Sequence, residues 1–280
     1  MLKETNMITQ EQTRYAWDAV AEGYDEYVTP MNLSLAEETL RLVDLQGGMR
    51  FLDVAAGTGA LSLPAARMGA QVVATDISPV MIERLKARAR DEGLTNLEAR
   101  VMDGQALELE DGGFDVAASQ YGVMLMPDLP KALGEMARVT RPGGRVLVTT
   151  MGPPTQIEFL KFFFAAMKSV VPDFTGLPQD PPPLPFQVSD PDKLRQEMAA
   201  AGLKDIRVEK AVQEVEFQSG AQWWNCVIHS NPIGAQMVAD LTEEQAHAVR
   251  HVMDNILRER AGSNGAAILN NHDNIAIGTR

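Results

Sequence analysis

The residues best suited to chemistry lie between Phe51 and Gly104. Asp53 stands inside the apolar run Arg50–Val54, and Gly57, Thr58 and Gly59 follow it. A second acid, Asp76, ends QVVATD, and a third, Asp103, ends LEARVMD. Glycines at a strand-to-helix turn let backbone N–H groups approach a ligand closely. An acid about 20 residues beyond such a turn is placed to accept hydrogen bonds from ribose hydroxyls. An acid at the third position can accept from an adenine amino group, while Met102 packs on the ring.

A diphosphate is the first ligand to weigh against this pattern, and two details disfavour it. The dinucleotide fingerprint requires a third glycine where Ser62 stands, and the Asp53 carboxylate would face the phosphates. An NAD(P)-dependent oxidoreductase is therefore the weaker reading. A ligand bringing positive charge and no phosphate suits the acids better. S-adenosylmethionine is such a ligand: its ammonium and sulfonium groups are attracted by a carboxylate at low local dielectric. A noncatalytic S-adenosylmethionine-binding protein is a further alternative, because methyl transfer often needs no fixed catalytic side chain.

These residues require elements that hold them together. RFLDV, QVVATD, LEARVMD, FDVAAS and GRVLVTT are short apolar runs, and helix-forming stretches such as SPVMIERLKARARDEG separate them. That alternation predicts an α/β fold, a doubly wound parallel sheet whose ligands sit beyond the carboxyl ends of the strands. Residues 11–45 read as helical, and residues 1–48 are expected to form an N-terminal helical lid. Residues 49–151 form the cofactor-binding core, and 152–188 a substrate-side helix with the proline-rich loop PDFTGLPQDPPPLPFQ. Residues 189–217 return to a core helix and strand, with Ser189 and Asp192 in capping-box spacing and Gly202 at the helix end. A helical insertion over 218–262 and a final core strand over 263–280 complete the layout.

Composition narrows the partners. The 280 residues are 45% hydrophobic and carry a net charge of −13, which repels polyanions and disfavours nucleic acid. No apolar run reaches the roughly 18 residues of a membrane span, and the acidic first thirty residues do not resemble a secretory signal. A cytoplasmic protein acting on a small molecule, with no membrane partner, is expected. The single cysteine, Cys226, excludes an internal disulfide and reads as a small core residue. His247 and His251 share a helix face but have no third ligand or HExxH glutamate, so no metal site is expected.

LDVAAGTG, VVATDISPVMIERLKARA, VMDGQAL, FDVAAS and ARVTRPGGRVLV together resemble the ordered motifs of class I S-adenosylmethionine-dependent methyltransferases, particularly the ubiquinone and menaquinone branch. The resemblance covers residues 50–150. It departs at Ala55, where the family usually has glycine. It implies a seven-stranded Rossmann-like sheet whose last two strands form a hairpin, and a lid over the cofactor. It places Asp53, Gly57, Thr58 and Gly59 on the methionine part, Asp76 and Ile77 on ribose, and Met102, Asp103 and Gln105 on adenine. Ala55, Met81, Gly104 and Ser119 join the cofactor side. Ser119-Gln120-Tyr121-Gly122 occupies the acceptor position but differs from the Asn/Asp-Pro-Pro-aromatic run of DNA-amine methyltransferases, which disfavours a nucleobase amine.

The implied reaction is an in-line displacement at the sulfonium methyl. For a proton acceptor the candidates are His229, whose unperturbed pKa of about 6.5 suits the task, and the lid tyrosine Tyr24. Gln120 and Tyr121, with Tyr15 and Tyr27 of the lid and Phe163 and Trp223 of the attachments, are the expected substrate contacts. The aromatic residues point to an apolar or aromatic acceptor; the alternative for the same stripe is core or a homodimer interface.

Overall fold

A computed structural model describes residues 9–261 and 265–280. The ends of two expected segments, residues 1–8 of the lid and 262–264 at the junction of insertion and last strand, lie outside the described residues. Seven strands form one sheet: β1 (Arg50–Val54), β2 (Gln71–Asp76), β3 (Leu97–Val101), β4 (Phe114–Gln120), β5 (Thr140–Met151), β6 (Lys204–Phe217) and β7 (Ala267–Thr279). Their order is β3-β2-β1-β4-β5-β7-β6. The first five run parallel, while β7 is antiparallel to both β5 and β6, giving the hairpin of late strands. Strand order reverses between β1 and β4, so their carboxyl ends open a crevice where ligands of open α/β sheets bind.

Burial explains why the strands read as they do. β1 and β4 are covered on both faces and are almost continuously apolar, whereas the second half of the edge strand β6 alternates buried and exposed residues. Helices α1 (Gln10–Gly23) and α2 (Thr29–Leu42) precede the sheet; α3 (Ser62–Arg67), α4 (Pro79–Asp91) and α5 (Leu129–Val139) fill the parallel crossovers. After β5 come α6 (Glu158–Val170) and α7 (Pro191–Ala200), and between β6 and β7 lie α8 (Gly220–Ser230), α9 (Pro232–Val238) and α10 (Glu243–Arg260). The main core joins the sheet to α2, α5 and α7 through residues such as Leu40, Phe51, Leu133 and Leu194. A second core gathers Phe163, Trp223, Val249, Met253 and Leu269 from α6, α8, α10 and β7.

Two local expectations need correction. The helical stretch over 11–45 is broken by a π-helical turn at Tyr24–Val28, the kind of bulge that recurs at functional sites. Helix α7 is capped by Asp190, whose carboxylate accepts the Asp192 and Lys193 amides at 2.8 and 3.0 Å. Ser189 instead donates to the Phe186 carbonyl at 2.9 Å. Asp190 precedes Pro191, whose missing N–H belongs at the first helical position.

Candidate active site

The chain leaves β1 through Ala55 in the left-handed region, at φ 58°. A side chain there costs roughly 1–2 kcal/mol, which is the physical reason for a glycine at this point of the motif. The Ala55 methyl is accommodated because residue 122 is glycine: a Cβ on Gly122 would lie 2.5 Å from that methyl and 2.7 Å from the Ser119 hydroxyl.

Gly57, at φ 54°, donates its N–H to Asp76 Oδ2 at 2.8 Å, and Ser78 N donates to Oδ1 at 2.9 Å. One carboxylate thus ties the glycine turn of β1 to the start of α4 and keeps its remaining lone pairs for a ligand. Burial pushes Asp76 up to about 6, against the opposing pull of the Ser78 and Gly57 amides. At the β3 tip, Asp103 accepts the Gln105 amide at 2.9 Å and the Gln10 side chain of α1 at 3.0 Å.

The N-terminal segment closes over these tips. Gln10, Thr13, Trp17 and Tyr24 face the crevice, and the Tyr24 ring sits 3.1 Å from where a Cβ on Gly57 would be. Burial raises the Tyr24 hydroxyl above its ordinary range, with Asp76 and Asp53 adding to the effect. Trp17 meets Tyr24 edge to face at 6.1 Å. Asp18 accepts the Ser78 hydroxyl at 2.5 Å, and Asp25 pairs with Arg88 at 2.8 Å and Arg84 at 3.3 Å, so the segment is latched to α4.

The crevice continues past Tyr24 into a further chamber, and the two together form one cavity of about 400 Å³. Gln120 and Tyr121 enter it from the end of β4, Gln213 from β6, and Asn271 and Asp273 from β7. Tyr121 is left-handed at φ 60°, its N–H donating to the Thr149 carbonyl at 2.9 Å. A non-glycine residue held there stores roughly 1–3 kcal/mol of strain, a feature that concentrates at functional sites. Gln120 donates to the Asn32 carbonyl at 3.1 Å and Gln213 to Asn32 Oδ1 at 3.1 Å, which orients both amides. The rest of this end is apolar: Met31, Met124, Phe159, Phe164, Phe186 and Met237 line it. Among the described residues, the acids lining the whole cavity are Asp76, Asp103 and Asp273, and no lysine, arginine or histidine lines it.

The expected site residues divide accordingly. Ala55, Gly57, Asp76, Ile77, Met81, Met102, Asp103, Gly104 and Gln105 share the crevice with Tyr24, Gln120 and Tyr121. Asp53, Thr58, Gly59 and Ser119 lie behind its wall. Asp53 is buried, accepts the Ser62 hydroxyl at 2.5 Å, and is pushed up to about 7 by that burial. Ser62 thus replaces the third glycine with a partner for the acid. Thr58 hydrogen-bonds Thr29 at 2.5 Å, Gly59 gives room to Leu85 and Leu63, and Ser119 donates to the Val54 carbonyl at 2.7 Å.

Other expectations are corrected. His229 lies on the exposed side of α8, whose inward face presents Cys226, Val227 and Ser230, so it cannot serve as base in the cavity. Burial pushes the Cys226 thiol up to about 12, leaving it inert. Phe163 and Trp223 are fully buried in the second core, because the inward stripe of α6 splits between core and cavity; Phe159 and Phe164 take the cavity side. Tyr15 is 56% exposed beneath the Arg14 guanidinium, and Tyr27 packs against the second core. Asp273, Asn271, Gln213 and Asn32 were missed by sequence reasoning. A signal existed for two of them: Asn271 and Asp273 stand two apart in a strand and share a face.

Residues 52–148 match the family model of a methyltransferase domain. The chain is 35% identical over 145 residues to nocamycin O-methyltransferase of Saccharothrix syringae, covering 51% of this chain and 52% of that protein. It is 40% identical over 144 residues to demethylmenaquinone methyltransferase of Thermus thermophilus, covering 49% and 64% respectively. The chain thus matches between about half and under two thirds of the length of these curated relatives. In fold it is similar to the crystal structure of a putative methyltransferase from Bacillus halodurans, with TM-score 0.58 at 16% identity over 88% of this chain and 98% of that one. The segment that carries the β1–β5 crevice is thus similar to a methyltransferase domain, and the sheet around it has the Rossmann-like methyltransferase fold.

Proposed function

We propose that the protein transfers a methyl group from S-adenosylmethionine to a small, largely apolar acceptor held at the far end of the cavity. One observation carries this reading: the crevice offers carboxylates at successive strand tips, no basic residue for a phosphate among the described residues, and an apolar chamber beyond them. This donor set fits the cofactor. Asp76 would accept from its ribose hydroxyls, Asp103 from the adenine amino group, and Met102 would pack against the ring.

When bound, S-adenosylmethionine supplies a methyl group on a positively charged sulfur. The chain's task is to position and to exclude water. Asp76 is immobilised by two amides before any ligand arrives, so little ordering remains to be done on binding. Trp17 and Tyr24 cover the strand tips, and the Asp18 and Asp25 latches keep α1 over them. Holding two reactants in near-attack geometry can supply roughly 7–11 kcal/mol of a barrier, more than proton transfer alone at about 10²–10⁴-fold. The apolar wall of Phe159, Phe164 and Phe186 suits an aromatic or alicyclic skeleton.

Calorimetric titration with S-adenosylmethionine and with NAD tests the cofactor, and release of S-adenosylhomocysteine with a panel of substituted phenols and hydroquinones tests the transfer. Binding of the first ligand alone, with turnover on at least one acceptor, is expected. Binding of NAD, or binding without turnover across the panel, would overturn the proposal.

A further inference from the structure

The acceptor end contains three polar atoms that lack a hydrogen bond of normal geometry, Gln120 Oε1, the Tyr121 hydroxyl and Asp273 Oδ2, and the Tyr121 and Asp273 side chains lie close enough to couple electrostatically. Their side chains belong to residues more than nine-tenths buried, at 8%, 9% and 3% exposure, and all three line the cavity. Leaving buried polar atoms unpaired is unfavourable, so their convergence on one chamber marks a place where a ligand completes the bonding. Two of them, a carboxylate oxygen and an amide oxygen oriented by the Asn32 carbonyl, can only accept. The missing partner is a donor. Tyr121 can donate in return, which matches a hydroxyl, a group that gives one proton and accepts others.

Resting on the methyl-transfer reading, we propose that the acceptor presents a hydroxyl to Tyr121 and Asp273, and that Asp273 takes its proton as the oxygen is methylated. A lone pair of that oxygen forms the new O–C bond. The C–S pair leaves with sulfur, the O–H pair stays on oxygen, and the proton moves to Asp273 Oδ2. A sulfonium and a carboxylate thereby become a neutral thioether and a neutral acid, and the proton returns to water as product leaves. Opposite charges cancel within an enclosed chamber, the setting in which a weakly solvated base is most effective.

Burial pushes Asp273 up to about 7, with the neighbouring Tyr121 hydroxyl opposing it, so the carboxylate exchanges protons near neutrality. The facing titratable groups are Tyr121 after β4 and, coupled to it, Tyr24 at the lid; both stay protonated because burial raises them. Met151 of β5 and Ala211 of β6 flank Asp273 in the sheet, and Asp76 and Asp103 are the other acids of the crevice.

The test uses the full protein with 4-nitrophenol, whose phenol and phenolate forms absorb differently. A carboxylate beside the bound hydroxyl disfavours phenolate, so the bound probe should ionise about one pH unit or more above the free probe. Asp273→Asn should abolish that upward shift while S-adenosylmethionine affinity, read by calorimetry, stays within about twofold. With an accepted hydroxyl substrate, kcat/KM of the wild type should rise with pH through about 7; the rise should vanish in Asp273→Asn and move to higher pH in Tyr121→Phe. An unshifted bound probe, an unchanged profile in Asp273→Asn, or turnover of amines in preference to hydroxyls would overturn the assignment. Absence of any S-adenosylhomocysteine release by the wild type would instead sink the methyl-transfer reading, and the probe titration distinguishes the two failures.

Discussion

At the cofactor end, Ala55, Gly57, Asp76, Met102, Asp103 and Gln105 come from three consecutive strand tips within about fifty residues of chain, and backbone amides hold the acids in place. At the acceptor end, the wall is collected from α2, β4, α6, β6, α8 and β7, and side chains with unpaired polar atoms face the chamber. One end is pre-satisfied and conformationally fixed, as a site for an invariant ligand should be. The other is apolar with a few unmet hydrogen bonds, the form a selective pocket takes, because a missing partner group is penalised there far more than a missing methylene. The two ends should therefore respond to substitution independently.

The strongest test of that independence is Asp76→Ala. It removes the acceptor of two buried amides and a ligand contact; hydrogen bonds to charged groups contribute about 1.5–3 kcal/mol each, so S-adenosylmethionine affinity should fall by about 100-fold or more in calorimetry. An acceptor-side effect of equal size with intact cofactor binding would refute the separation. Gly122→Ala comes next. Its methyl would crowd Ala55 and Ser119, so stability should drop by about 1–3 kcal/mol in urea unfolding, and Ala55→Gly should restore part of the loss.

Phe164→Ala should leave cofactor affinity unchanged and raise the acceptor KM by about tenfold, since apolar pocket contacts are worth roughly 1–3 kcal/mol. A pH experiment sharpens the comparison further. The folded protein holds the Asp53 proton more tightly than the unfolded chain, with a pKa near 7 against an ordinary value near 4. Its contribution to stability is thus full below about pH 4 and is lost as pH rises to about 7. Asp53→Asn should flatten that decline in unfolding midpoints, whereas a cavity-side change such as Phe164→Ala should not. The smallest effect is expected for His229→Ala, which should change turnover by less than about twofold because that side chain faces solvent.

Legibility in the sequence followed the same divide. The apolar runs around Asp53 and Asp76 announced a parallel sheet, because strands buried on both faces are nearly continuously apolar, and the alternation of runs and helices placed their tips together with that of the edge strand before Asp103. Even there, sequence spacing did not reveal that Asp53 turns from the crevice to Ser62, or that Tyr24 lies over Gly57. At the acceptor end, Phe163 and Phe164 are adjacent in the same aromatic run, yet one is core and the other lines the cavity. A helix turns 100° per residue, so only its docking partners decide which ring faces where.

The sequence by itself determined the fold class, the seven strands and the acidic strand tips, because these follow from local periodicity and from motifs that a single crossover positions. Only the tertiary structure decided which side chains share the chamber: Asn32, Gln120, Gln213 and Asp273 meet across more than two hundred residues through strand pairing and the return of β7. Contacts at such separation depend on the packing of the whole chain, and no local pattern records them.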